Sequence, residues 1–265
     1  MTEPTLADDL AVALTLAHEA DLIAIDRYRA QDLDVQLKPD RTQVTDGDTR
    51  VEKMIRDHLG QARPADAILG EEFGGGDPHA PGRQWIVDPI DGTANFVRGV
   101  PIWGSLISLV IDGVPEVGVV SAPALGRRWW GATGHGAWAE AEGQPPRRLH
   151  VSGIADLADA TLSYNSLKHW DEAGRLDQLV GLSRAVGRTR AFGDLWSYML
   201  LAEGAIDIAA EFDVKPWDIA ALTPIVREAG GTVTDVAGGD RLDALSIVAT
   251  NGALHQAVLD SVAVR

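Results

Sequence analysis

The chain has 265 residues, 45% of them hydrophobic, and 23 Lys and Arg stand against 39 Asp and Glu for a net charge of −16. That is the composition of a globular protein with a core, one large domain or two tightly packed halves, and its acidity speaks against nucleic-acid or anionic-membrane partners. There is no cysteine, which excludes disulfides, thiolate metal sites and cysteine nucleophiles. No apolar run approaches the roughly 18 residues of a membrane span, and the acidic start lacks a signal-peptide pattern, so a cytoplasmic protein is expected.

Leu6, Leu10, Ala13, Ala17, Ala20 and Ala24 step by four and three along one face of a first helix. A second is expected over Thr49–Leu59, followed by a short strand at Ala67–Leu69 that runs into Gly70-Glu71-Glu72. Trp85–Val87 reads as a buried strand that ends at Asp88-Pro89, with Asp91, Gly92 and Thr93 close behind. Ser105–Ile111 and Val114–Ser121 flank Asp112-Gly113, a two-residue hairpin signal. Trp129–Ala132 and Ala137–Ala139 continue the sheet. Glu142-Gly143-Gln144-Pro145-Pro146 is the expected boundary between an N-terminal half, 1–142, and a C-terminal half, 143–265. Beyond it come a strand near Ala160–Tyr164, helices over Glu172–Ser183 and Asp194–Glu203, and a strand at Ile206–Glu211. Next is a helix from Pro216 to a Gly230-Gly231 cap, then a strand at Ser246–Thr250 and a closing helix. The class is layered α/β; the pattern leaves the topology open.

Glu71, Asp88, Asp91 and Asp218 all fall at the ends of expected elements, where side chains can converge. A strand that ends in two carboxylates and opens onto Gly92-Thr93 can hold a hard cation beside an anion. The Ile90 carbonyl could face the same cation, and backbone N–H groups at a helix start there would cradle phosphate. Taken alone, Asp-Gly is also a common turn and Glu-Glu a solvated strand end.

Together these segments resemble the inositol monophosphatase family. The resemblance rests on Val44-Thr45-Asp46-Gly47-Asp48 with Val51-Glu52-Lys53-Met54, Gly70-Glu71-Glu72, Trp85 to Phe96, Trp217-Asp218-Ile219-Ala220-Ala221 and Glu228-Ala229-Gly230-Gly231, in order over roughly residues 35–250. It implies a five-layered αβαβα sandwich, a homodimer, and Mg²⁺-dependent hydrolysis of small phosphate esters. By that resemblance Glu71, Asp88 and the Ile90 carbonyl hold one Mg²⁺, Asp88, Asp91 and Asp218 a second, and Glu71 helps with a third through water. Asp91, Gly92, Thr93 and Lys38 would bind phosphate. Asp48 would pair with the Thr93 hydroxyl, and Thr93 and Glu71 would orient the attacking water. Ala94 departs from the larger polar residue common at its position.

The leaving group in this family meets the segment at Gly193, Asp194 and Leu195 and the strand end at Glu211. Two acids there favour a cationic alcohol, although Asp194 also fits a helix N-cap before Leu195. Gly82-Arg83-Gln84-Trp85, Gly99–Trp103, Val119–Leu125 with Arg127-Arg128-Trp129-Trp130, and Ala249-Thr250-Asn251-Gly252 resemble the actinobacterial histidinol-phosphatase branch, which serves histidine biosynthesis. The alternatives are an inositol monophosphatase, another small sugar or nucleotide phosphatase, or a non-catalytic binder on the same fold. The seven histidines are scattered, with no zinc-binding spacing.

Overall fold

The computed structural model describes residues 4–263. Thr5 and Asp8 form a capping box that opens α1 (Leu6–Arg27), whose face of Ala13, Leu16, Ala17, Ala20 and Ala24 is buried. A hairpin of β1 (Val35–Leu37) and β2 (Gln43–Thr45) follows, and Thr45 and Asp48 make a second capping box at the start of α2 (Asp46–Ala62). Next come β3 (Ala67–Gly70), β4 (Arg83–Asp91), the short α3 (Thr93–Val97), β5 (Gly104–Ile111), β6 (Val114–Ala122), β7 (Arg127–Ala132), β8 (Gly136–Ala141) and β9 (Arg147–Arg148). The strands β3 to β9 form one seven-stranded sheet in chain order, parallel at β3–β4 and antiparallel elsewhere. Asp112 and Gly113 turn β5 into β6 with φ of 51° and 82°, as the hairpin signal predicts.

The remaining chain contributes β10 (Thr161–Tyr164), α4 (Leu167–Glu172), α5 (Leu176–Ala185), β11 (Arg188–Arg190), α6 (Asp194–Ala202), β12 (Ile208–Phe212), α7 (Pro216–Ile219), α8 (Leu222–Glu228), β13 (Thr232–Thr234), β14 (Ser246–Thr250) and α9 (His255–Val262). A second, five-stranded sheet has the order β11-β10-β12-β14-β13. Both sheets are covered on both faces, so their central strands are apolar runs rather than alternating ones. On β4, Trp85 and Val87 pack under α1 and α2, whereas Ile86 faces α6 and α8. On the small sheet, Ala209 and Ile247 join that same middle core, while Leu162, Ile208 and Val248 pack against α4, α5 and α9. The layers therefore run helices, sheet, helices, sheet, helices: the expected αβαβα sandwich.

Glycines on the large sheet let the middle layer approach it closely. A Cβ at Gly118 on β6 would lie 2.1 Å from the Ala221 carbonyl, and one at Gly131 on β7 would lie 3.0 Å from the Ile225 Cα. Gly118→Ala must lift the segment that joins α7 to α8. It should cost about 1–3 kcal/mol of stability, measured as a lower denaturant midpoint, and phosphate-ester turnover should fall with it because Asp218 lies three residues before Ala221.

Several boundaries differ from the sequence expectation for identifiable reasons. The helix expected over Glu172–Ser183 is two, broken at Gly174, whose φ is 67°. The helix expected from Pro216 to the glycine pair breaks after Ile219: Pro224 has no N–H to donate back to the Ala220 carbonyl, and the Thr223 hydroxyl bonds the Ile219 carbonyl at 2.9 Å. The second helix begins at Asp46, three residues early, because Thr45 is its cap. The short strands β1, β2, β11 and β13 carry no legible apolar period.

Candidate active site

On β4, Asp88 lies opposite Leu106 and Asp91 opposite Gly104, so Pro89 and Ile90 face Ser105 alone. In a regular strand, residues three apart point to opposite faces. This bulge supplies the extra residue that brings Asp88 and Asp91 back into phase. Pro89 fits because it asks for no ladder N–H bond, and the Ser105 hydroxyl donates to its carbonyl at 2.7 Å. Asp218 arrives from α7, where its Oδ2 accepts the Lys215 N–H at 2.7 Å, and α7 packs against β4. Carboxylate oxygens of Asp88, Asp91 and Asp218 lie within 4.8 Å of one another.

Glu71 borders the same cavity, but its carboxylate is held by Lys38, whose Nζ lies 2.7 Å from Glu71 and 2.8 Å from Glu72. Lys38 stands at the turn of the β1–β2 hairpin, where its N–H meets the Thr42 carbonyl at 2.8 Å. The glutamate pair is itself fixed by Glu52, fully buried on α2, whose carboxylate accepts the Glu72 N–H at 2.7 Å and the Phe73 N–H at 3.2 Å. Gly70 makes room for it, since a Cβ there would come 2.0 Å from the Glu52 carboxylate.

Thr93 begins α3 behind Gly92, whose φ of 81° and tight approach to the Ile102 carbonyl suit glycine. The Thr93 hydroxyl lies 3.0 Å from the Ile90 carbonyl and 3.4 Å from Asp48 Oδ1. Asp48 Oδ2 in turn accepts the Thr45 N–H and hydroxyl. Burial, offset in part by those Thr45 bonds, pushes the Asp48 carboxyl up to about 6.

The other wall belongs to the small sheet and α6. The cap of α6 is Gly193, and the Leu195 N–H is satisfied by Asp91 Oδ2 at 2.7 Å, from 104 residues away. Asp194 is thereby free of the capping role. Its backbone is left-handed, with φ of 49°, and its side chain turns into the site to meet Asn95 Nδ2 at 3.1 Å. Glu211, 5% exposed at the end of β12, faces the same cavity of about 640 Å³. Burial and the Asp194 and Asp218 charges push Glu211 up to about 8.

The site is therefore rich in carboxylate and poor in counter-charge. Burial, then repulsion from Glu71, Asp91, Asp218 and Asp48, drives Asp88 well above the usual carboxylate range. Burial and the Asp194 and Asp218 charges do the same to Asp91. Asp218 is pushed up to about 7, chiefly by burial. Crowded oxygen donors that repel one another are what a hard divalent cation relieves, so the donor set fits magnesium chemistry.

A model of the inositol monophosphatase family matches residues 6–263. The chain belongs to this family. A histidinol-phosphatase of Mycobacterium tuberculosis is 56% identical over 252 residues, covering 95% of this chain and 96% of its own. The Streptomyces coelicolor histidinol-phosphatase is 48% identical over 262 residues, covering 97% of each. Among solved structures, the extragenic suppressor protein suhB of Bartonella henselae superposes with a TM-score of 0.84 at 30% identity, covering 95% of this chain and 97% of that one. Inositol monophosphatase family proteins are generally metal-dependent, and the acidic cluster here accords with that.

The geometry also draws in residues that motif reading leaves aside. Glu52 shapes the Glu71–Glu72 loop, Lys215 supplies the N–H that orients Asp218, and Asn95, Asn165 and Tyr198 surround Asp194 and Glu211. Glu52 stood inside a matched motif, but its role depends on contact with a loop some twenty residues away, which no spacing reveals.

Proposed function

We propose that this chain is a magnesium-dependent phosphomonoesterase that hydrolyses L-histidinol phosphate to L-histidinol and phosphate, in histidine biosynthesis. The observation that carries the reading is the meeting of Asp88, Asp91 and Asp218, with Asp91 and Asp218 lining the same cavity as Asp194 and Glu211. Glu71, Asp88, Asp91, Asp218 and the Ile90 carbonyl are the oxygens that would hold two or three Mg²⁺ ions. Bound there, the cations would offset the charge of the phosphate dianion and make water a better nucleophile.

The chain's own residues do the rest. Thr93 and Glu71 orient the attacking water, and the Thr93 hydroxyl relays its proton toward Asp48, whose carboxyl, pushed up to about 6, lies in the range useful to a base at neutral pH. The start of α3 at Gly92 and Thr93 receives the phosphate, with Lys38 moving from its glutamate partners to the ester. Asp194 and Glu211 receive the alcohol. Histidinol carries an ammonium, and two acids facing one small cavity attract it more strongly than they attract a neutral polyol. A cytoplasmic location, and the homodimer that the family resemblance implies, complete the reading.

Phosphate release from a panel of esters, with magnesium and with chelator, tests it. Histidinol phosphate should lead inositol monophosphate, and chelator should stop both. Equal turnover of the two esters would remove the substrate assignment; release from none would leave a binding protein. Asp194→Ala and Glu211→Ala should each lower kcat/KM for histidinol phosphate by roughly tenfold or more, the worth of a charge-assisted hydrogen bond. A neutral test ester should be affected less.

A further inference from the structure

Asn165 follows β10 and lies against both acids of the alcohol side. Its Nδ2 donates to Asp194 Oδ1 at 3.5 Å, and the same carboxamide reaches toward Glu211. The backbone before Asp194 is fitted to it: a Cβ at Gly193 would come 2.9 Å from Asn165 Oδ1. On the far side Asn95 Nδ2 bridges the other Asp194 oxygen at 3.1 Å and the Ile102 carbonyl at 2.9 Å. Asp194 is thus gripped between two neutral donors, with its backbone in the left-handed region. The Tyr198 hydroxyl, in a residue only 2% exposed, borders the same cavity and stands against Glu211. The hydrolytic step described above uses none of Asn95, Asn165 or Tyr198.

A carboxamide between two carboxylates has a specific effect. It donates without adding charge, so Asp194 and Glu211 can both stay close to one cavity and keep unused lone pairs turned inward. A primary ammonium brings three N–H donors and a charge that matches those lone pairs. We propose that Asn165, backed by Asn95, is the positioning residue that makes the site select an alcohol bearing a primary ammonium, by holding Asp194 and Glu211 as a pair of acceptors. This rests on the histidinol phosphate reading and names the group of that substrate which is read.

The test compares two esters that differ only in the ammonium: histidinol phosphate and its deamino analogue. The readout is the ratio of their kcat/KM values in the wild type, in Asn165→Leu and in Asn165→Ser. The ratio should fall about tenfold or more in Asn165→Leu, mainly through KM for the ammonium ester. Asn165→Ser keeps one donor and should recover part of it. Magnesium-induced thermal stabilisation should match wild type in both, which separates selectivity from a general loss of structure; if the leucine variant does not fold, the serine variant carries the comparison. A wild-type preference that persists unchanged in the variants, or equal losses on both esters, would overturn the role of Asn165 alone. No wild-type preference between the esters would overturn the substrate reading and this inference together.

Discussion

Asp88→Asn should lower magnesium-dependent phosphate release by roughly three orders of magnitude or more, which is the loss of several kcal/mol of transition-state charge stabilisation. Asp88 is central to the acidic cluster: Glu71, Asp91, Asp218 and Asp48 all press on its charge. The amide is nearly isosteric and can still accept the Ile90 N–H, a bond of 3.0 Å in the native protein, so the β4 bulge should survive. Folding stability should move the opposite way. In chelator, the variant loses one of several repelling charges and should melt slightly higher, about 1 kcal/mol or 2–4 °C for a chain of this size. Added magnesium should raise the melting temperature of the wild type much more than that of the variant. A variant with wild-type turnover would remove Asp88 from the metal set, and one that melts far lower in chelator would mean that the carboxylate is structural.

Without divalent cation, the protein should lose stability as pH rises from about 4 to about 8. Asp48, Asp218 and Glu211 are pushed up to about 6, about 7 and about 8, each first by burial. Their folded forms hold protons that the unfolded chain has already released above about pH 4. Over that window the folded state binds more protons, so each unit of pH rise favours unfolding. The effect is fully avoided below the unfolded values and complete once pH has passed the folded ones. At about 1.4 kcal/mol per unit and per group, the three together come to on the order of 10 kcal/mol. Magnesium should flatten or reverse this slope by binding the ionised form. Denaturant midpoints near pH 5 and pH 8, in chelator and in magnesium, provide the check. A chelated protein that is more stable near pH 8 would contradict the crowding of acids described here.

The layered fold and most of the acidic set were legible along the chain because both leave local marks. Strands buried on both faces read as apolar runs such as Trp85–Val87 and Ser105–Ile111, and Asp112-Gly113 can hardly be anything but a tight turn. Element ends were less legible where a distant partner sets them. The α6 start depends on Asp91 supplying what a local N-cap would have given, so a reading of Asp194 as the cap was reasonable and the structure replaces it with Gly193. In the hairpin that carries Lys38, β1 is exposed throughout and β2 is only half-buried before Thr45, so no apolar period marks it.

By itself, then, the sequence determined the chemistry on offer: an acidic chain without thiols, with carboxylates at strand and helix ends and a Gly-Thr turn beside them. Only the tertiary structure decided which of those carboxylates meet. The β4 bulge brings Asp88 and Asp91 into phase, Gly118 and Gly131 let the α7–α8 segment press close enough to deliver Asp218, and Asn95 and Asn165 turn Asp194 toward Glu211. Each of these depends on backbone approach between segments far apart in the chain, and residue type or spacing does not encode that until the layers have packed.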